Sequence, residues 1–170
     1  GHMVLEQSLV SRICKTLWWH LSRDTFLTQL EHEVRCHIRN AKRRGMRPAV
    51  RLNGTSDILW ERWIDMEQFD VQWYDYTKHR LSTRTQQRRL PSNYHLTFSL
   101  DERPESMHRA MEWLGAGYNV AVVVAGYGHK LKDAKQVVQE LVKTTWYGFP
   151  VLDGDVSDVR FDDMPGHWVA

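Results

Sequence analysis

Apolar residues recur along this chain in two rhythms, and the rhythm changes near Pro48. Before it the period is helical. Leu5, Leu9, Ile13, Leu17 and Leu21 stand four apart and line one side of a helix, with Trp18 and Trp19 widening the stripe. A second helix is predicted to start at Asp24, a residue type that caps helix starts. It carries Leu27, Leu30, Val34, Ile38 and Ala41 on one face, with Lys42, Arg43 and Arg44 in the last turn before Gly45.

After Pro48 short apolar or β-branched runs end in polar residues, and helical or irregular stretches separate them. The runs cover residues 49–53, 71–75, 94–99, 119–125 and 149–153, and helical patterns are read over 58–69, 106–114 and 131–144. Strands alternating with helices at this spacing predict βα repeats and a mostly parallel sheet. The expected fold is α/β: a mostly parallel five-stranded sheet forming a partial (β/α) barrel, preceded by two N-terminal helices. Residues 77–92 are polar and basic with weak periodicity, and read as an exposed arm holding at most a short helix. Gly1, His2 and Met3 read as a cloning scar and residues 4–170 as a single domain.

A parallel sheet sends the carboxyl ends of its strands to one edge, where ligands gather. The first strand empties into Asn53-Gly54-Thr55-Ser56-Asp57, and the later ones deliver Asp75 with Lys78, Ser99, and Asp153 with Asp155. Asn53, Asp57, Asp75, Lys78, Ser99, Asp153 and Asp155 are therefore the candidate ligand rim, with carboxylates for acid and base work and a lysine for an anion. Gly126, Tyr127 and His129 follow the fourth strand to the same edge. The structural alternative is that Ser56 or Asp57 caps a helix starting at Ile58, and that Asp153-Gly154-Asp155 is a turn.

Charge adds a second candidate surface. The net charge is only +2, yet residues 35–51 hold seven Lys or Arg and no acid, residues 78–89 hold five and no acid, and residues 153–163 hold five Asp against one Arg. Arg39, Lys42, Arg43, Arg44, Arg80, Arg84, Arg88 and Arg89 are the candidate nucleic-acid contacts, although basic residues also complement the dipole at any helix end. Cys14 and Cys36 stand 22 positions apart and make neither a disulfide framework nor a thiolate zinc site, and His32 and His37 share no helix face. No G-x-G-x-x-G or Walker loop is present. No metal or cofactor is expected. Without a membrane-spanning run or a signal peptide, the protein is expected in the cytoplasm of a bacterial host.

Taken in order, Arg51-Leu-Asn-Gly-Thr-Ser-Asp57 with Trp60-Glu61, Tyr74-Asp-Tyr-Thr-Lys78, Asn93-Tyr-His-Leu-Thr-Phe-Ser99, Asn119-Val-Ala-Val-Val123, and Gly148-Phe-Pro-Val-Leu-Asp-Gly-Asp155 with Asp158, Arg160, Phe161 and Asp162 resemble a poorly characterised family encoded by bacteriophages and mobile elements. The resemblance implies a (β/α) barrel similar to radical-SAM enzymes, of which this chain matches the C-terminal half. The cysteine-rich half that would hold an iron-sulfur cluster has no counterpart here, so cluster chemistry is not expected of this chain alone.

Five strands cannot close an eight-stranded barrel, so the exposed edges and the first helix point to association, as a homo-oligomer or with another protein. The leading expectation is a phage or mobile-element accessory protein that binds and interferes with a host protein or nucleoprotein complex, a defence complex such as a CRISPR effector being the first to test. One alternative is a metal- or phosphate-dependent enzyme working at the strand ends. Another is a subunit or decayed remnant of a cluster-binding barrel enzyme.

Overall fold

A computed structural model describes residues 6–86, 89–125 and 131–170. The chain divides into two compact units, residues 1–48 and 49–170.

The first unit holds helices α1 (Glu6–Leu21) and α2 (Arg23–Arg43). Ser22 breaks the helix with φ −149° and ψ 61°. Trp18 Nε1 donates to Thr25 Oγ1 at 2.8 Å, and Trp18 and Trp19 meet Phe26 edge-on at 5.3 and 5.5 Å. The Arg23 guanidinium lies 4.6 Å from the centre of the Trp19 ring. Asp24 sits in the first turn of α2 but does not cap it; Ser22 holds that position. At the other end Gly45 turns left-handed at φ 65°, and the amides of Gly45 and Met46 bond Lys42 O and Ala41 O. That is a Schellman closure, which a glycine adopts without Cβ strain.

The second unit is an open sheet with helices α3 (Leu81–Thr85), α4 (Ser106–Gly115) and α5 (Leu131–Leu141). Its strands are β1 (Ala49–Val50), β2 (Gln72–Thr77), β3 (Tyr94–Ser99), β4 (Asn119–Ala121), β5 (Thr145–Trp146), β6 (Phe149–Leu152) and β7 (Trp168–Val169). Their order is β1-β2-β3-β4-β7-β6-β5, with every pair parallel except the β5–β6 hairpin. The α/β class and the mostly parallel sheet are as expected, and the sheet is not a closed barrel.

Three elements differ from expectation. Among the described residues there are seven strands, not five, because β5 and β7 are only two residues long and carry no alternation to read. Residues 58–69 form two 3-10 turns, Trp60–Arg62 and Met66–Gln68, instead of a helix, since side-chain bonds to the Ile58 backbone hold the segment in a loop. The fourth strand stops at Ala121.

In a parallel pair, partners in register point to the same side. Trp73, Leu96, Phe98, Val120, Trp168 and Val151 thus share one face, and all are buried. Helix α4 covers it with Ala110, Trp113 and Leu114, the Trp113 ring stacking on Phe98 at 6.1 Å. Each such large side chain contributes about 1.5–3 kcal/mol by leaving water. The opposite face carries Tyr74, Tyr76, His95, Thr97 and Asn119, with the turn Arg160–Asp162 against it and Phe161 edge-on to Tyr74 at 5.3 Å.

Candidate functional site

Asn53 begins the loop after β1, and its side chain organises that loop. Its Oδ1 accepts from Ser56 Oγ (2.9 Å), the Ile58 amide (3.0 Å) and Trp60 Nε1 (3.0 Å), while its Nδ2 donates to Ile58 O (3.0 Å). An asparagine offers both a carbonyl and an amide, which suits a loop that must satisfy donors and acceptors around one buried point. Asn53 is 2% exposed, so its role is internal.

The Asn53 backbone N–H donates to Asp75 Oδ1 at 2.7 Å, and Tyr94 Oη donates to Asp75 Oδ2 at 2.9 Å. Asp75 is buried, and burial outweighs these bonds to push its pKa up to about 6. Burial, then the Asp75 charge, raises the Tyr94 phenol as well.

Beside this pair lies a second internal network centred on Arg84 of α3, whose side chain is wholly buried. Its Nη2 bonds Asp57 Oδ1 at 2.6 Å and Thr77 Oγ1 at 3.0 Å, and its Nη1 bonds Glu61 Oε2 at 2.9 Å. Asp57 Oδ2 also accepts from the Lys78 amide at 2.7 Å. Two carboxylates against one guanidinium satisfy a charge that could not be buried alone. Arg84 is thus directed inward and not toward a nucleic acid. At the solvent margin Lys78 Nζ stands 3.4 Å from both Ser99 O and Ser99 Oγ and 3.5 Å from Asp101. The Asp101 carboxyl is held well below the usual range, first by its bond from Arg103.

The remaining rim residues belong to a different place. Alternation along β2 sends Asp75 and Thr77 to the α4 side and Tyr76 to the other. On that other side a cleft of about 430 Å³ opens where β2, β4, β6 and β7 end, lined among others by Tyr76, Val138, Asp153, Asp155, Asp158 and Arg160. Asp153 caps the turn Gly154–Val156 by accepting from the Asp155 amide at 3.0 Å, and it accepts from Gln139 Nε2 at 3.1 Å. The Asp155 carboxylate is 3.9 Å from Lys135 Nζ and largely exposed. Arg160, 3% exposed, bonds Gly154 O at 3.1 Å and pairs with Asp163 at 3.2 Å. Its charge and, more strongly, burial push His95 down to about 4, so that imidazole is neutral at neutral pH. Burial raises the Tyr76 phenol against the pull of Arg160 and Arg51. Gly154 meets the end of β7 so closely that a β-carbon there would stand 2.9 Å from Ala170 O.

The expected rim residues fall into separate groups. Asn53, Asp57 and Asp75 lie in internal bonds at the ends of β1 and β2, Lys78 and Ser99 meet at the solvent margin beside them, and Asp153 and Asp155 line the cleft. Of the cationic candidates, Arg39, Lys42, Arg43, Arg44, Arg80 and Arg89 are exposed, and Arg88 lies outside the described residues, as do Gly126, Tyr127 and His129. Sequence reading passed over Glu61, Lys135 and Asp101 as site residues. Asp101, two places beyond Ser99, was within reach of the strand-end argument. Glu61 was hidden because the segment around it reads as a helix. Among the described residues no three His, Cys, Asp or Glu side chains converge as metal ligands, and no helix is long and apolar enough to cross a membrane.

Fold and cleft define an α/β protein with an open, almost wholly parallel sheet and a ligand-sized cleft at the carboxyl ends of its strands. The chain belongs to the Gene product 88 family, a phage-type gene product family whose model matches residues 4–170. No curated protein and no solved structure matches it.

Proposed function

We propose that this is a phage accessory protein that binds a host nucleoprotein complex through the cationic side of α2. One observation carries the reading. Arg35, Arg39, Lys42 and Arg43 are exposed and fall within about 100° of one another around the helix, opposite the buried Val34 and Ala41. Exposed Arg44 and Arg47 continue the run, and no acid interrupts residues 35–51. A helix-dipole role accounts for one or two cations in a last turn, not for a stripe beginning two turns earlier. Such a stripe suits phosphate contacts, and membership of a phage-type family supports an accessory role.

The test is fluorescence anisotropy with single- and double-stranded oligonucleotides at 50 and 200 mM salt. Four phosphate contacts would weaken binding by about 100-fold over that range, following a slope of roughly −0.9 per contact on a log-log plot. The combined Arg39→Glu, Lys42→Glu and Arg43→Glu variant is expected to lose binding. Capture from host cells is expected to recover a nucleic-acid-containing complex, a defence effector being the class tested first, and nuclease treatment to release it. Binding that ignores both salt and the charge reversal would sink the proposal.

A second reading places a small ligand, or residual catalysis, in the cleft. It is favoured by the Asp158 carboxylate, which lines the cleft and accepts no hydrogen bond from the described residues, and by the exposed Asp155 near it. In that case Asp155→Asn and Asp158→Asn abolish ligand binding in calorimetry while the melting temperature stays within a few degrees. A cluster-dependent activity would require thiolates beyond Cys14 and Cys36.

A further inference from the structure

The apolar stripe of α1 faces the wrong way for its own unit. Around the helix, Leu9, Val10, Ile13, Leu17 and Leu21 fall within about 120° of one another. Trp18 and Trp19, the side chains that meet Phe26 of α2, lie on the opposite side. The stripe is open: Leu9 is 47% exposed, Val10 53%, Ile13 50%, Leu17 53% and Leu21 79%. Every residue from 9 to 18 is exposed. An isolated helix of 16 residues is marginal in water, and its stability must come from covering its apolar side.

We propose that α1 pairs with α1 of a second copy of this chain, antiparallel and two-fold symmetric about Ile13. The stripe is self-complementary under that operation. Leu9 and Leu17 stand four residues to either side of Ile13, so a two-fold axis at Ile13 sets Leu9 of each copy against Leu17 of the other, with Ile13 on Ile13. Charge permits the approach. Arg12 and Lys15 are the charged residues between Leu9 and Trp18, and both project from the side away from the stripe, so no like charges are forced together. Area is sufficient as well. Five half-exposed large side chains offer on the order of 500 Å² per copy, and polar margins bring two copies to the roughly 1,200 Å² at which specific interfaces begin.

Cys14 gives the arrangement a built-in reporter. It is exposed and next to Ile13, at one margin of the stripe. In the antiparallel pair the two Cys14 thiols lie on the same edge of the contact, offset by about 3 Å along the axes at 1.5 Å rise per residue.

The experiment is analytical ultracentrifugation of the full chain over a concentration series, together with crosslinking by a short bismaleimide. A particle of twice the monomer mass is expected, with Cys14 joined to Cys14. The crosslink is expected to persist in Cys36→Ser and to vanish in Cys14→Ser. Ile13→Glu and, separately, Leu17→Glu are expected to weaken association at least 100-fold without changing the circular dichroism of the sheet. Crosslinking of the unsubstituted chain needs no variant to fold. A monomer at every concentration would mean that another part of the chain or a different protein covers the stripe, and would overturn the proposal. So would a dimer indifferent to Ile13→Glu, or one joined only through Cys36.

Discussion

The side-chain amide of Asn53 receives three donors and supplies one, and of these partners Ile58 O keeps the Trp60 amide at 3.0 Å and Arg84 Nη1 at 3.4 Å if the side chain is shortened. Asn53→Ala is expected to destabilise the sheet unit by about 2–4 kcal/mol in urea unfolding, because the Ile58 amide and the Trp60 indole lose the buried carbonyl they both bond. Asp75 makes a different prediction, through its protons. Its folded pKa, about 6, lies above its ordinary value of 3.8, so the folded protein holds a proton there that the unfolded chain has released. Stability from this group is full below about pH 4 and declines as the pH rises to about 6, by on the order of 2–3 kcal/mol. The difference in unfolding free energy between Asp75→Asn and the parent chain should therefore grow in favour of the variant over that window and stay flat above it. A flat difference throughout would show that the carboxyl is already ionised in the fold. Neither role was visible beforehand: an Asn and an Asp at strand ends suit ligand binding as well as loop building, and only their burial tells the two apart.

At the level of elements, Arg84 ties the short helix α3 onto the loop after β1. Breaking a buried ion pair from one side costs about 3–5 kcal/mol, so Arg84→Leu should lower the melting temperature markedly, whereas Arg80→Ala and Arg89→Ala, both exposed, should change it little. In the sequence the three arginines look alike, since a run of cations carries no sign of which one turns inward. The hairpin between β5 and β6 shows another limit. Tyr147 and Gly148 both have positive φ, 48° and 81°, as a two-residue turn of type I′ demands. Tyrosine is a poor occupant of that position, so Tyr147→Asn should stabilise by about 0.5 kcal/mol in thermal melts. The strands 72–77, 94–99 and 149–152 were legible because they are long enough to show apolar runs, and α4 and α5 because their period is clear. Residues 58–69 misled because Trp60 and Ile64 share a helical spacing, while the bonds from Asn53 that deny the helix come from outside the segment. The rim residues look like one set in the sequence because strand ends share an edge, whereas the pleat turns neighbouring side chains, Asp75 and Tyr76 among them, to opposite faces.

For the molecule as a whole, the decisive element is the least conspicuous one. β7 is two residues long, yet it lies between β4 and β6 and joins β1–β4 to the β5–β6 hairpin. Trp168 is fully buried there, and the Val120, Val122 and Ala170 amides complete the ladder with bonds to His167, Val169 and Leu152. Deleting residues 167–170 should cost the α/β unit its cooperative unfolding transition, seen as a broad, non-sigmoidal denaturation curve. The same geometry fixes an order of events during synthesis. A ribosome has to release residues 168 and 169 from its exit tunnel before the middle of this sheet can zip up, so the β4 and β6 edges stay unpaired until β7 arrives. Those two open edges are where the half-assembled sheet can pair with another chain, and the two residues of β7 are what takes them out of reach.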